Sequence, residues 1–170
     1  VDLPGEFVTD DGLRGYHRLD RAMLELRGDG LNLRLGRQGL TWGNGLVFNP
    51  LDLFNPFAPT DVIRDYKTGE DMAVLAAPVG EGRLELVAVP RRDAISREVD
   101  GRASSVGTRL HLFAGEVEAD LVVARHYEDT VAGLGVRGNL GEAAWRMDAS
   151  LTRLAHDERD GAFSLVMNLD

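Results

Sequence analysis

Apolar and polar residues alternate along most of this chain with a period of two. In WRMDASLT, Trp145, Met147, Ala149 and Leu151 fall on one side, with Arg146, Asp148, Ser150 and Thr152 on the other. Upstream, Ala132, Leu134 and Val136 oppose Gly133, Gly135 and Arg137, and Val117, Ala119, Leu121 and Val123 oppose Glu118, Asp120 and, less cleanly, Val122. The last segment sets Phe163, Leu165, Met167 and Leu169 against Ser164, Val166, Asn168 and Asp170. The first half follows the same rule. Ala22, Leu24 and Leu26 alternate with Arg21, Met23 and Glu25, and beyond a Gly-Asp-Gly turn Leu31, Leu33 and Leu35 alternate with Asn32, Arg34 and Gly36; Leu84, Leu86 and Ala88 against Glu85 and Val87, then Leu110 and Leu112 against Arg109 and His111, continue the pattern. Alternation over seven or more residues marks a strand with two unlike faces, because successive side chains point to opposite sides of a sheet. The pattern predicts about nine strands of roughly 8–12 residues, the length a tilted strand needs to cross a bilayer.

The connections alternate as well. Short turns are expected at Gly28–Gly30, Gly80–Gly82, Ala114–Glu116 and Gly138–Glu142, and longer ones at Gly43–Asp71, Arg91–Ser104, His126–Thr130 and Ala155–Gly161. Tight turns on one side and longer loops on the other characterise outer-membrane barrels. The expected fold class is therefore all-β, an antiparallel up-and-down transmembrane β-barrel seen in part, with residues 1–170 as a single β-barrel domain. The alternative is a soluble sandwich or lipocalin-like barrel, which also alternates. Against it stands the polar phase, rich in Arg, His, Asp, Glu, Asn, Ser and Gly, while Lys67 is the only lysine in the chain. A solvent-washed sheet face is usually lysine-rich; this mixture suits a narrow wet interior. Tyr16, Tyr127, Trp42 and Trp145 fall near predicted strand ends, where an aromatic girdle belongs.

Composition narrows the function classes. No stretch approaches the ~20 apolar residues of a spanning helix, and a mean hydropathy of −0.18 is compatible with a barrel. A net charge of −9 and pI near 4.9 disfavour nucleic acid as partner. Without cysteine there are no disulfides, thiol nucleophiles or Cys-based metal sites. His17, His111, His126 and His156 lack ligand spacing, so no metal or cofactor is expected. Ser104-Ser105 lacks a nucleophile-elbow context, and GLGVRGNLG lacks the phosphate-loop lysine. An enzyme is not expected. The first residues, VDLPGEFVTDDG, have neither the basic nor the apolar region of a signal peptide, so none is expected within them. The odd strand count and a final strand without a closing turn or terminal aromatic predict a domain incomplete at its C-terminus, as in a fragment.

One region carries a resemblance. In residues 31–75, Gly36-Arg37-Gln38 end a strand, Trp42-Gly43 follow, and Asn49-Pro50, Asp52 and Asn55-Pro56 punctuate a loop that leads to Gly69. This resembles a segment of porin-like outer-membrane β-barrel proteins of Gram-negative bacteria and covers about a quarter of the chain. The resemblance implies an outer-membrane location and transport of small solutes. Independently of it, Asn-Pro pairs favour turns, and Phe48, Leu51, Leu53, Phe54 and Phe57 make the loop 43–71 too apolar to float free in water. A loop this long is usually packed and functional. It is expected to form a constriction or plug through Trp42, Phe48, Asn49, Asp52, Phe54, Asn55 and Phe57, or alternatively to cap the barrel or cover a neighbouring protomer.

The polar phase supplies the candidate lumen lining: Arg34, Arg37, Gln38, Arg109, His111, Asp120, Arg137, Arg146 and Asp148. Asp120 is expected beside Arg109 and Arg137. Such charges hold register by pairing across strands, and they also select solutes; with both signs present, neither ion preference is indicated. The function expected is an outer-membrane channel for diffusion or facilitated transport of small solutes, in contact with outer-membrane lipid and possible as a homo-oligomer. The alternative is a structural or assembly barrel that binds a partner through its long loop.

Overall fold

The computed structural model describes residues 4–8, 14–46, 48–56, 67–93, 95–156 and 161–170, and within them every regular element is a strand. None of these residues forms a helix long and apolar enough to cross a membrane, which leaves strand-crossing open. Strands β1 (Pro4–Val8) and β2 (Arg14–Arg18) pair as an antiparallel hairpin absent from the periodic pattern. The other nine are β3 (Ala22–Arg27), β4 (Asn32–Gln38), β5 (Glu70–Val79), β6 (Gly82–Val89), β7 (Ser105–Ala114), β8 (Val117–His126), β9 (Asp129–Leu140), β10 (Ala143–Arg153) and β11 (Ala162–Leu169). They form one antiparallel meander in chain order. The outer strands β3 and β11 do not pair with each other, so the sheet is open and not a closed barrel.

Three two-residue turns share one chemistry. Gly80-Glu81, Gly115-Glu116 and Gly141-Glu142 each start on a glycine at φ between +59° and +65°, and the following glutamates stay at negative φ. Glycine first with positive φ, followed by an ordinary residue, fits the primed turn whose twist matches a hairpin. The connection expected as a long one at His126–Thr130 is in fact a fourth two-residue turn, Tyr127-Glu128, with Tyr127 at φ +55°. Nothing in its sequence announces a tight turn, because a tyrosine occupies the glycine position. The opposite ends of the strands thus carry, besides this turn, the three long connections 39–69, 90–104 and 154–161.

Register turns the alternation into two unlike faces. One row runs Leu26, Leu33, Leu75, Leu86, then through Thr108, Val123 and Ala132 to Leu151 and Phe163. This leucine face is bare: Leu24, Leu26, Leu35, Leu86, Leu121, Val123, Leu134, Leu151, Phe163, Leu165 and Met167 are all exposed. The hydrophobic core lies on the other face. There Leu40, Trp42, Leu51 and Phe54 from the β4–β5 loop pack on Met72, Val74, Val87, Val89, Val122 and Ala124. These wall residues are the apolar members of the otherwise polar phase. The sheet therefore buries its polar-phase side and exposes its apolar side, the reverse of a soluble sheet.

A loop held against a charged sheet face

The β4–β5 loop is anchored at several points. Where the chain leaves β4, Gln38 donates to the Met72 carbonyl at 3.3 Å, and Arg37 makes a two-pronged ion pair with Asp71 at 3.0 and 3.3 Å. Arg37 also reaches the Leu19 carbonyl at 3.4 Å and is buried. Both residues are buried at the end of the sheet, where the chain leaves β4 for the loop.

Trp42 comes next, 1% exposed. Its ring meets Phe54 edge-on at 4.9 Å between centroids, and its Nε1 donates to Glu85 at 3.2 Å. Placed so, it belongs to the loop's core and not to an outward aromatic girdle. Asn49 shapes the tip: its Nδ2 donates to the Trp42 carbonyl at 2.8 Å while its Oδ1 accepts from Leu51 N at 3.1 Å. Asn55 donates to Thr68 O at 2.8 Å, tying the two arms of the loop. Asp52 pairs with buried Lys67, whose ammonium also donates to the Leu40 carbonyl at 3.2 Å. Burial raises the Asp52 carboxyl above its usual range, and the Lys67 charge only partly opposes that shift. Of the loop aromatics, Phe54 is buried, but Phe48 is 56% exposed and takes no part in the packed cluster. Phe57 lies outside the described residues.

Two sheet glycines make the packing possible. A Cβ on Gly107 would stand 2.5 Å from the Phe54 ring and 3.2 Å from the Trp42 ring, and one on Gly133 would collide with Leu51. The loop side chains occupy the volume these positions leave empty.

Asp148 on β10 supplies the strongest polar anchor. Fully buried, it accepts hydrogen bonds from Asn44 N at 2.5 Å, Asn44 Nδ2 at 3.0 Å and Gly45 N at 2.8 Å. The alternation had marked it only as one polar residue among several; its capture of two loop amides 104 and 103 residues away carries no sequence signal.

Beside this anchor the charged residues form a ladder across β6 to β9. Glu85 accepts from Arg109 at 2.5 Å and pairs with Arg83 at 3.3 Å. Arg109 Nε is 3.9 Å from Asp120, which takes His111 Nδ1 at 2.9 Å. His111 Nε2 is 3.4 Å from Glu118. Arg137 pairs with Glu118, not with Asp120 as expected, because register sets Asp120 opposite Gly135 and Glu118 opposite Arg137. Arg146 pairs with Asp170 at 3.1 Å, while Arg34 stands opposite Glu25 and Val74. Between loop and ladder lies a polar recess of about 240 Å³, lined by Thr41, Gly43, Asn44, Arg83, Arg109, His111, Asp120 and Arg137. Alternating charges around such a recess can hold water and small polar solutes of either sign.

A second network seals the end of the sheet under the loop. Arg91 donates to Glu70 at 2.6 Å, Ser105 Oγ at 2.7 Å and the Phe54 carbonyl at 3.1 Å. Ser105 Oγ also accepts from Tyr127 N at 3.1 Å, so its own hydrogen points to His126 Nδ1, 3.1 Å away. The sequence drew no attention to this serine–histidine contact. With both lone pairs engaged and the side chain buried, Ser105 ties strand ends together. No family model matches this chain, and neither a curated protein nor a solved structure matches it.

Proposed function

We propose that this chain forms part of the wall of a β-barrel in a Gram-negative outer membrane, with the leucine face against lipid and the loop face around an aqueous path for small solutes. The observation that carries this is the inverted sheet. A strand spacing of about 4.8 Å and a rise of about 3.3 Å per residue give nine such strands an apolar face on the order of 1,000 Å². Soluble monomers rarely bare contiguous patches above roughly 300–600 Å². A bilayer removes that cost, and β5 and β7–β10, at 10–12 residues, suit its thickness. Unpaired strand edges are costly in lipid, so the proposal requires the free edges of β3 and β11 to be paired by further strands or by a second copy.

In this arrangement the loop narrows the path from inside, and the Arg–Glu–His–Asp ladder lines what remains. The protein should require detergent for extraction and migrate heat-modifiably on gels. Reconstituted in planar bilayers it should conduct, and deleting Phe48–Thr60 should raise single-channel conductance. Unchanged conductance would remove the constriction; extraction without detergent would remove the membrane placement. One observation favours a second reading. The loop fills much of the sheet face it covers, as expected of a structural or assembly barrel that binds a partner. Absence of conductance from a correctly inserted protein would select it.

A further inference from the structure

We infer that Arg125 and Arg153 form a docking site for phosphate-bearing lipid headgroups at the rim of the leucine face. Register places Arg125 on β8, Thr130 on β9 and Arg153 on β10 directly in line. The adjacent row is Val123, Ala132 and Leu151, so this polar trio caps an apolar column at the end of the sheet that carries the long connections. The inference rests on the proposed lipid contact of that face and names which lipid chemistry meets its edge.

Charge pairing separates these two residues from most of the described arginines. In a chain with 28 acidic and 19 basic residues, most described arginines find a carboxylate: Arg27 pairs with Glu25, Arg37 with Asp71, Arg91 with Glu70, Arg109 with Glu85, Arg137 with Glu118 and Arg146 with Asp170. Arg125 and Arg153 are exposed and have no such partner among the described residues. The described carboxylates at the adjoining β8–β9 turn are occupied: Glu128 holds His156 at 2.7 Å and Asp129 accepts from Ala155 N at 2.9 Å. Two strand spacings separate the arginine backbones by about 10 Å. Their side chains can therefore lay apolar stems along the leucine face and converge on one headgroup from either side, with the Thr130 hydroxyl between them. Guanidinium groups bind phosphate through paired donors, which favours a phosphorylated headgroup over a zwitterionic one.

The test uses full-length protein reconstituted in phosphatidylcholine vesicles, then exchanged into detergent and titrated with lipid A, with bound lipid read by native mass spectrometry. Each arginine near an anionic surface contributes about a fivefold gain, so Arg125→Gln with Arg153→Gln should weaken lipid A retention roughly thirtyfold. Phosphatidylcholine retention should not change. Arg27→Gln, at the opposite end of the sheet, should behave as wild type, and Arg125→Lys with Arg153→Lys should recover part of the loss. Equal lipid A affinity for wild type and the double glutamine variant would overturn the inference while leaving the barrel wall intact. Failure of the wild type to enter phosphatidylcholine vesicles would overturn the inference together with the membrane placement on which it rests.

Discussion

Replacing Asp148 by alanine should undock the tip of the β4–β5 loop while leaving the sheet paired. The carboxylate takes three hydrogen bonds from residues 44 and 45. Hydrogen bonds to a charged acceptor each contribute about 1.5–3 kcal/mol net, with incomplete additivity. Truncation also leaves the half-buried amides of Asn44 and Gly45 without an acceptor. Against this, alanine no longer has to keep a buried charge desolvated, which returns part of the cost. The balance is a loss of about 3 kcal/mol in docking, or a shift of roughly two orders of magnitude in the docked-to-undocked ratio. Amide hydrogen exchange reads that ratio directly when docking is in fast equilibrium. Asn44 and Gly45 should lose about a hundredfold in protection, with little change at β9 and β10. Asp148→Asn can keep an acceptor oxygen for the two backbone amides but turns its own amide donor toward Asn44 Nδ2, so it should fall between wild type and alanine. Undiminished protection at Asn44 and Gly45 in Asp148→Ala would refute the assignment of Asp148 as the anchor.

Other expectations follow from the same contacts. Gly107→Ala forces a methyl group against Phe54 and should cost about 1–3 kcal/mol, visible as a red-shifted Trp42 emission and a lower denaturation midpoint. Gly133→Ala should destabilise similarly, and Leu51→Ala should relieve that clash, giving a favourable coupling in a double-mutant cycle. Because the folded Asp52 carboxyl lies above its unfolded value, its linkage favours docking at acidic pH; that contribution is lost as pH rises from the usual carboxylate value through the raised one. Limited proteolysis of the loop should therefore quicken with rising pH across that window, and Asp52→Asn should flatten this dependence. Leu121→Arg, at the centre of the leucine face, should cost about 2–4 kcal/mol in a bilayer, whereas an exposed site in water would tolerate it within ~0.5 kcal/mol.

Most strands were legible because alternation is a local property, written wherever two faces meet different surroundings. Glycine also announced three of the tight turns. The fourth was missed because Tyr127 takes a backbone conformation that its side chain does not advertise. The loop's apolar content pointed to packing, and its landing site was partly visible. Val74, Val87 and Val122 break the polar phase, and those breaks are where Trp42, Leu51 and Phe54 rest. The individual anchors were not legible. Asp148, Lys67 and Ser105 act through contacts distant in sequence; alternation cannot distinguish Asp148 and Ser105 from other polar residues facing the same way, and Lys67 lies in the loop, outside any alternating strand. Nor could it show that Phe48 would stay outside the cluster while Phe54 enters it.

The central claim is that the leucine face meets lipid and the loop face meets water. The chain contains no cysteine, so single cysteines placed in turn along Val117–His126 each give one spin label. In reconstituted vesicles, labels at 117, 119, 121 and 123 should relax with oxygen dissolved in the bilayer and ignore a water-soluble paramagnetic reagent. A label at 118 should show the opposite preference, and those at 120 and 122 should resist both because these positions are buried on the loop-covered face. Preferential relaxation of the 119, 121 and 123 labels by the water-soluble reagent would contradict the membrane placement outright.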